Sequence, residues 1–354
     1  MNELTFQPRT NQALAVSPAQ IELGQLANEA ASNAVFYLYQ SRRPENTQRS
    51  QRSALAVFAQ FMLSNGIIAA QDLYSNPTAW MGITWGLVQG FQAWLLAEGY
   101  SVKTVNDRVS VVKVYMGLAN QAGVIPDGEI IRLRNLRGFT RKEAIDTDAA
   151  RRKNGTQTRR GAKKQTATQL SDEQARKLTT GQPDTPQGRR DALLMCILLD
   201  HGVRVSEVVS LAVENIDLEQ RRITFYRPKT GETSTHTLRG RAWRCLVEYL
   251  KHHPTKSGPL LLASNKSGAL LPGSGMTTRA ANERVMFLGQ AVGINQLRLS
   301  PHDCRHYGAT KNGHDPKVSL AALMAWGGWK SPTSAARYID RGQTDNDGVS
   351  LGSD

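Results

Sequence analysis

Ser300-Pro301-His302-Asp303-Cys304-Arg305-His306 decides the reading of this chain, together with Met324-Ala325-Trp326-Gly327-Gly328-Trp329 and Arg337-Tyr338-Ile339-Asp340 further on. Ser300 is a good helix N-cap, Pro301 suits the first helical position, and Asp303 stands at the capping-box position. A helix starting here puts His302 and Arg305, three apart, on one face of its first turn. There the unpaired amides and the helix dipole favour an anion, so the pair reads as a phosphate cradle. Standing alone, the same spacing describes two surface residues equally well. His302, Cys304 and His306 do not converge on one helix face, so no metal site is expected. Tyr338 by itself would be a packing tyrosine; downstream of such a cradle it becomes a candidate nucleophile against a phosphate.

Composition supports an anionic partner. Among 354 residues, 44 Lys and Arg outweigh 30 Asp and Glu, giving a formal charge of +14 and a pI near 9.9. Such an excess favours nucleic acid or an anionic membrane surface through long-range attraction and counterion release. No apolar run approaches the roughly 18 residues of a membrane span, and the N-terminus lacks the features of a signal peptide. The expectation is a cytoplasmic protein without a membrane partner. Cys196, Cys245 and Cys304 are odd in number, distant in sequence and without a C-x-x-C pair, which argues against disulfides and zinc. No G-x-x-x-x-G-K-[ST] loop is present, so ATP is not implied.

The organisation is helical at first. Residues 1–24 are taken as a flexible N-terminus and residues 25–147 as a helical domain. A helix from Ser17-Pro18 is stopped by Pro44, a second runs from Thr47 to Asn65, and a third from Gly86 to Glu98. Four or five helices are expected, with no strand. The fourth opens at Ser101, and its Val102, Val105, Val109, Val112, Met116 and Ala119 follow 3,4,3,4,3 spacing. Its other face carries Lys103, Asn106, Arg108 and Lys113, and the three basic residues are candidate DNA contacts. Residues 148–168 form a basic linker, with Arg151, Arg152, Lys153, Arg159, Arg160, Lys163 and Lys164 and no acid between 151 and 164. It is either a solvated hinge or, in a chain this basic, a strap along a phosphate backbone.

Residues 169–340 form the second domain, and 341–354 a Gly- and Asp-rich tail. Ser171 and Gln174 make a capping box. Arg189 to Asp200 is an apolar helix broken by Gly202, with a helix resuming from Ser206 to Ala212. Arg221–Tyr226 and Thr233–Leu238 alternate as a β-hairpin around Lys229. Helices follow at 240–252, 277–292, 301–312 and 317–325, so the domain is mainly α with one small antiparallel sheet. Arg204, just past a glycine break, must be paired or aimed at a ligand. Glu207, its i+3 neighbour, is a plain salt-bridge partner, or the group that orients the guanidinium toward phosphate. Lys229 at a hairpin tip is uninformative alone.

In this order, Arg204, Lys229, His302-x-x-Arg305, Gly328-Trp329 and Tyr338 resemble the tyrosine recombinase (phage integrase) family over about residues 45–340. Gly202-Val203-Arg204-Val205-Ser206-Glu207 is similar to its first-arginine motif. Pro301 to Thr310 is similar to its His-x-x-Arg-His motif, and Tyr338 follows Trp329 by nine positions, as in that family. Trp329 stands where many members have His, a Trp that Cre-like enzymes of the family share, and Cys304 stands where Leu is common.

The resemblance implies a helical core-binding domain plus a catalytic domain, closing as a C-shaped clamp on double-stranded DNA. It implies strand cleavage by Tyr338 through a 3′-phosphotyrosyl link, with Arg204 and Arg305 clamping the phosphate. Lys229 would be the general acid, His302 its assistant and Trp329 a packing support. No cofactor or metal is implied. The partners implied are a specific, inverted-repeat DNA site and a homotetramer on two duplexes, exchanging strands through a Holliday junction in a bacterial, phage or plasmid setting. A type IB topoisomerase-like strand transferase and a catalytically silent DNA-binding accessory protein are the alternatives.

Overall fold

The computed structural model describes residues 17–67, 72–156, 167–253, 257–295 and 298–339. The chain divides into two compact units, Met1–Lys163 and Lys164–Asp354. Arg159, Arg160, Lys163, Lys164, the first 16 residues and the tail from 340 lie outside the described residues. No described helix is long and apolar enough to cross a membrane.

The first unit holds α1 (Pro18–Ser41), α2 (Glu45–Ser64), α3 (Trp85–Ala97), α4 (Val102–Gln121), α5 (Asp127–Asn135) and α6 (Arg141–Lys153). Ser101 caps α4 through the Thr104 amide, and all six residues of the 3,4,3,4,3 stripe are buried. The stripe meets Phe58, Trp80, Phe91 and Leu95, so α4 is the axis of this core. Two helices beyond Pro126 were not foreseen individually. Glu129 at the start of α5 accepts the Trp85 amide at 2.7 Å and so caps α3. A Thr140–Glu143 capping box starts α6.

The polar face of α4 differs from the expectation of a free DNA-facing surface. Asn106 brackets Phe139, donating to its carbonyl at 2.8 Å and accepting its amide at 2.9 Å. Lys113 is half-buried and donates to the Leu136 carbonyl at 2.8 Å, and burial lowers its pKa. The Arg108 guanidinium lies 4.1 Å from the Tyr100 ring centre. Lys103 stays exposed, in an i,i+4 pair with Asp107. The segment before α6 covers this face because helix-borne polar side chains satisfy its backbone.

The basic stretch differs too. Arg151, Arg152 and Lys153 are the last turn of α6, where cations suit the helix dipole. Arg151, only 10% exposed at its side chain, donates to the carbonyls of Tyr100 at 3.0 Å and Leu96 at 2.9 Å. It therefore closes the C-terminal end of α3 rather than lying along a strap. Arg152 and Lys153 remain exposed.

The second unit is built on α8 (Pro186–Asp200), whose residues Leu193 to Leu199 are all buried. Around it lie α7 (Asp172–Thr180), α9 (Val205–Val209), α10 (Gly240–His252), α11 (Thr278–Ala291), α12 (Pro301–Gly313), α13 (Leu320–Gly327) and α14 (Pro332–Ile339). Strands β1 (Ile216–Asp217), β2 (Arg222–Arg227) and β3 (Glu232–Thr237) form an antiparallel sheet in that order. A second antiparallel pair, β4 (Leu262–Ser264) and β5 (Leu270–Gly275), was not expected. Helix α9 is shorter than the Ser206–Ala212 reading. Leu211 and Ala212 leave it to pair with the 258–260 backbone, the Leu260 amide donating to the Leu211 carbonyl at 2.8 Å. Arg190 and Asp191, both buried, tie α8 to the Leu262 carbonyl and to Arg284 of α11.

Candidate active site

Four separate segments meet at the C-terminal end of α8. The chain leaves this helix through Gly202, at φ +59°, where a Cβ would lie 2.4 Å from the Trp326 ring. Only glycine fits that turn, in conformation and in space. Trp326 is fixed by its indole N–H, which donates to the Asp200 carbonyl at 2.9 Å. The turn delivers Arg204 to the N-cap of α9.

Glu207, 1% exposed, organises this corner. Its carboxylate accepts the Arg204 amide at 3.0 Å and the Arg204 guanidinium at 2.7 Å. A second guanidinium, that of Arg227, lies 3.5 Å from it. The Arg204 side chain remains 29% exposed, so it is oriented by Glu207 yet open to a ligand.

Helix α12 supplies the next pair. Its Ser300–Asp303 capping box is formed, and Asp303 also accepts the Thr168 amide at 2.9 Å, which pins the chain entering this unit. Arg305 is 3% exposed and donates to the Gly202 carbonyl and, at 2.6 Å, to the Gly327 carbonyl. Burial, and then the nearby Arg204 charge, lower its pKa to about 10, so it stays cationic at neutral pH. His302, on the same turn, is exposed. Cys304 is fully buried in the core, on the far side of the helix from His302.

Arg305, Trp329, Tyr338, His306 and His302 form one continuous ladder. The Arg305 guanidinium lies 4.6 Å from the Trp329 ring centre. Trp329 packs on Tyr338 at 5.2 Å between ring centres, Tyr338 on His306 at 5.0 Å, and His306 edge-on to His302 at 4.7 Å. Tyr338, on α14, is 7% exposed. Its phenol thus lies between an indole and an imidazole, one ring away from a buried guanidinium.

Lys229 is the expected catalytic residue that belongs neither to the ladder nor to the Arg204–Glu207 corner. It sits exposed in the turn between β2 and β3 and makes no hydrogen bond or ion pair among the described residues. Two residues before it, Arg227 does belong to the cluster, and the sequence reading missed it. Strand alternation turns Ile223, Phe225 and Arg227 inward, but that reading ended the strand at Tyr226. The His-x-x-Arg-His motif gives His306 no role of its own; its i+4 spacing from His302 on a helix is the signal that the two rings meet.

The phage integrase family model matches residues 168–344. Tyrosine recombinase XerD of Vibrio vulnificus is 30% identical over 131 residues, covering 36% of this chain and 41% of that protein. The chain spans less than half the length of the curated relatives it matches. The structure of the Tn1549 transposon integrase in complex with transposon right end DNA superposes with a TM-score of 0.59 at 13% identity, over 89% of this chain and 96% of that one. A lambda integrase dimer bound to a COC' core site gives 0.58 at 12% identity, over 93% and 82%. These two likenesses are of fold.

Proposed function

Because the chain belongs to the phage integrase family, we propose that it is a site-specific DNA recombinase that cuts and rejoins strands through a covalent 3′-phosphotyrosyl intermediate on Tyr338. The observation that carries this reading is the ladder from Arg305 through Trp329 to Tyr338 and the two histidines, with Arg204 bound to the same corner through Glu207. Residues up to 134 positions apart meet around one small volume, and their chemistry is that of phosphoryl transfer.

Attack on a phosphodiester builds negative charge on the non-bridging oxygens. Two guanidiniums bind that charge with bidentate geometry and need no metal-ion partner to do so. Arg305 is held rigidly and Arg204 is held by Glu207 with its fork still accessible, so the phosphate is positioned for Tyr338. The phenol oxygen bonds to phosphorus while the 5′-oxygen departs, and the phosphotyrosyl ester keeps the bond available for rejoining. The departing oxygen needs a proton. Lys229, exposed at the hairpin tip, is the general acid on this reading, with His302 assisting at the exposed end of the ladder. Trp329 holds the phenol by its face, and His306 holds it from the other side.

The partner on this reading is double-stranded DNA carrying an inverted-repeat site, bound by a homotetramer that exchanges strands through a Holliday junction. The DNA-bound states of the Tn1549 and lambda integrases support a DNA partner for a chain of this fold. Sequencing the DNA trapped on Tyr338 in cells identifies the site, and two copies on one plasmid then test the activity. Deletion or inversion between the copies is the expected outcome. Site-independent relaxation of any supercoiled plasmid would instead identify a topoisomerase, and binding with no covalent product would leave an accessory protein.

A further inference from the structure

Arg227 is among the largest fully buried side chains of the protein, at 1% exposure, and the reaction just described gives it no role. Its five donors reach three segments far apart in sequence. Nε donates to Ser234 Oγ across the hairpin at 2.8 Å, and Nη2 to the Trp326 carbonyl at 3.2 Å. Nη1 donates to the Gly327 carbonyl at 3.0 Å and lies 3.5 Å from the Glu207 carboxylate. Gly327 O is the same oxygen that Arg305 binds, and Glu207 is the same carboxylate that holds Arg204. Gly328 closes over the group at φ +61°, where a Cβ would lie 2.5 Å from Nη1. The chain there is built around this guanidinium.

We infer that Arg227 is a positioning residue for strand cleavage, fixing the base of the β2–β3 hairpin to the Gly327–Trp329 turn so that Lys229 meets the leaving oxygen. The inference rests on the recombinase reading above. Among the described residues Lys229 makes no tie of its own, and the last side chain anchored before it is that of Arg227, two positions away. Anchoring there restricts the arc that the Lys229 ammonium can sweep, and placement of a proton donor is worth large factors in rate. A lysine cannot replace it: one ammonium has no planar fork with which to serve acceptors in three segments at once.

The test uses a nicked suicide substrate and a matched substrate whose 5′-bridging oxygen is sulfur. That sulfur departs as a thiolate without needing a proton, so it relieves a defect in the general acid but not one in the phosphate clamp. Arg227→Lys should bind DNA as the parent does and cleave the ordinary substrate about 100-fold more slowly. The sulfur substrate should recover most of that loss, as it should for Lys229→Met. A parental rate for Arg227→Lys, or a loss that sulfur does not relieve, overturns the inference. Should Arg227→Lys fail to fold, Ser234→Ala removes only the hairpin-side bond. It should show a smaller loss, again relieved by sulfur, and an unaltered rate overturns the inference equally. Absence of any covalent adduct in the unaltered protein would sink the recombinase reading itself, and the inference with it.

Discussion

Glu207→Gln should destabilise the catalytic unit by about 3–5 kcal/mol, because it removes a buried counter-charge while leaving the shape of the site intact. The carboxylate holds three donors: the Arg204 guanidinium at 2.7 Å, the Arg204 amide at 3.0 Å and the Arg227 guanidinium at 3.5 Å. Glutamine keeps one oxygen for the amide and turns an NH2 toward a guanidinium, so a donor faces a donor. Arg204, 29% exposed, recovers part of its solvation. Arg227, 1% exposed, cannot, and it bears most of the loss. For a unit the size of Lys164–Asp354, about 2–4 °C is lost per kcal/mol, so the midpoint should fall by roughly 6–20 °C. Scanning calorimetry on the full chain reads this directly, with the transition of the first unit as internal control. Cleavage should fall along with stability, since Arg204 loses the group that aims it. A midpoint within about 2 °C of the parent would refute the argument that this carboxylate is the counter-charge of the arginine cluster.

Further outcomes follow from other parts of the structure. Arg151→Ala should lower the stability of the helical unit by about 1–3 kcal/mol, from the loss of two charge-assisted hydrogen bonds to half-buried carbonyls, and leave the salt dependence of DNA binding almost unchanged. A salt slope reduced by about one would return Arg151 to the phosphate backbone. His201 and His236 lie with Nδ1 atoms 3.3 Å apart, and burial lowers their pKa values to about 4 and about 3. Both enter the fold neutral, so the unfolded chain binds more protons below about pH 6.5 and stability falls on acidification. The slope is about 1.4 kcal/mol per pH unit for each histidine until its folded pKa is reached. His236→Gln should flatten that acid limb in a series of melts from pH 7 to pH 4.5, and an unchanged limb would contradict the assignment. Gly202→Ala should destabilise the catalytic unit and abolish cleavage, since its Cβ meets Trp326 at 2.4 Å and its φ of +59° is strained for alanine. A parental melting curve and rate would show that the turn does not need glycine.

Much of this was legible before any coordinates because the local signals were strong and consistent. The six-residue stripe of α4 is buried in full, and the Ser171 and Ser300 capping boxes form at their expected positions. Other features depend on long-range pairing that a local pattern does not encode. Asn106 and Lys113 look like a solvated face until Phe139 and Leu136 bring backbone groups to them. Cys196 and Cys245, 49 residues apart, lie 3.4 Å from each other because α8 and α10 pack together. Strand β5 reads Leu-Leu-Pro-Gly-Ser-Gly, without alternation, so the second sheet gave no signal. Helix α6 did carry a Thr140–Glu143 capping box, but the basic residues at its end drew the reading toward a linker. At the site, Arg204, Glu207, Arg305, Trp329 and Tyr338 stood out by motif spacing. Arg227 did not, since an arginine at a strand end is ordinarily solvated and only the inward alternation distinguishes it.

Covalent capture on a nicked suicide duplex tests the central claim most directly. The unaltered chain should form an adduct that resists denaturation and maps to Tyr338 by mass spectrometry, and Tyr338→Phe should form none while still binding the duplex. An adduct that persists in Tyr338→Phe, or binding by the unaltered chain without any adduct, would contradict the account.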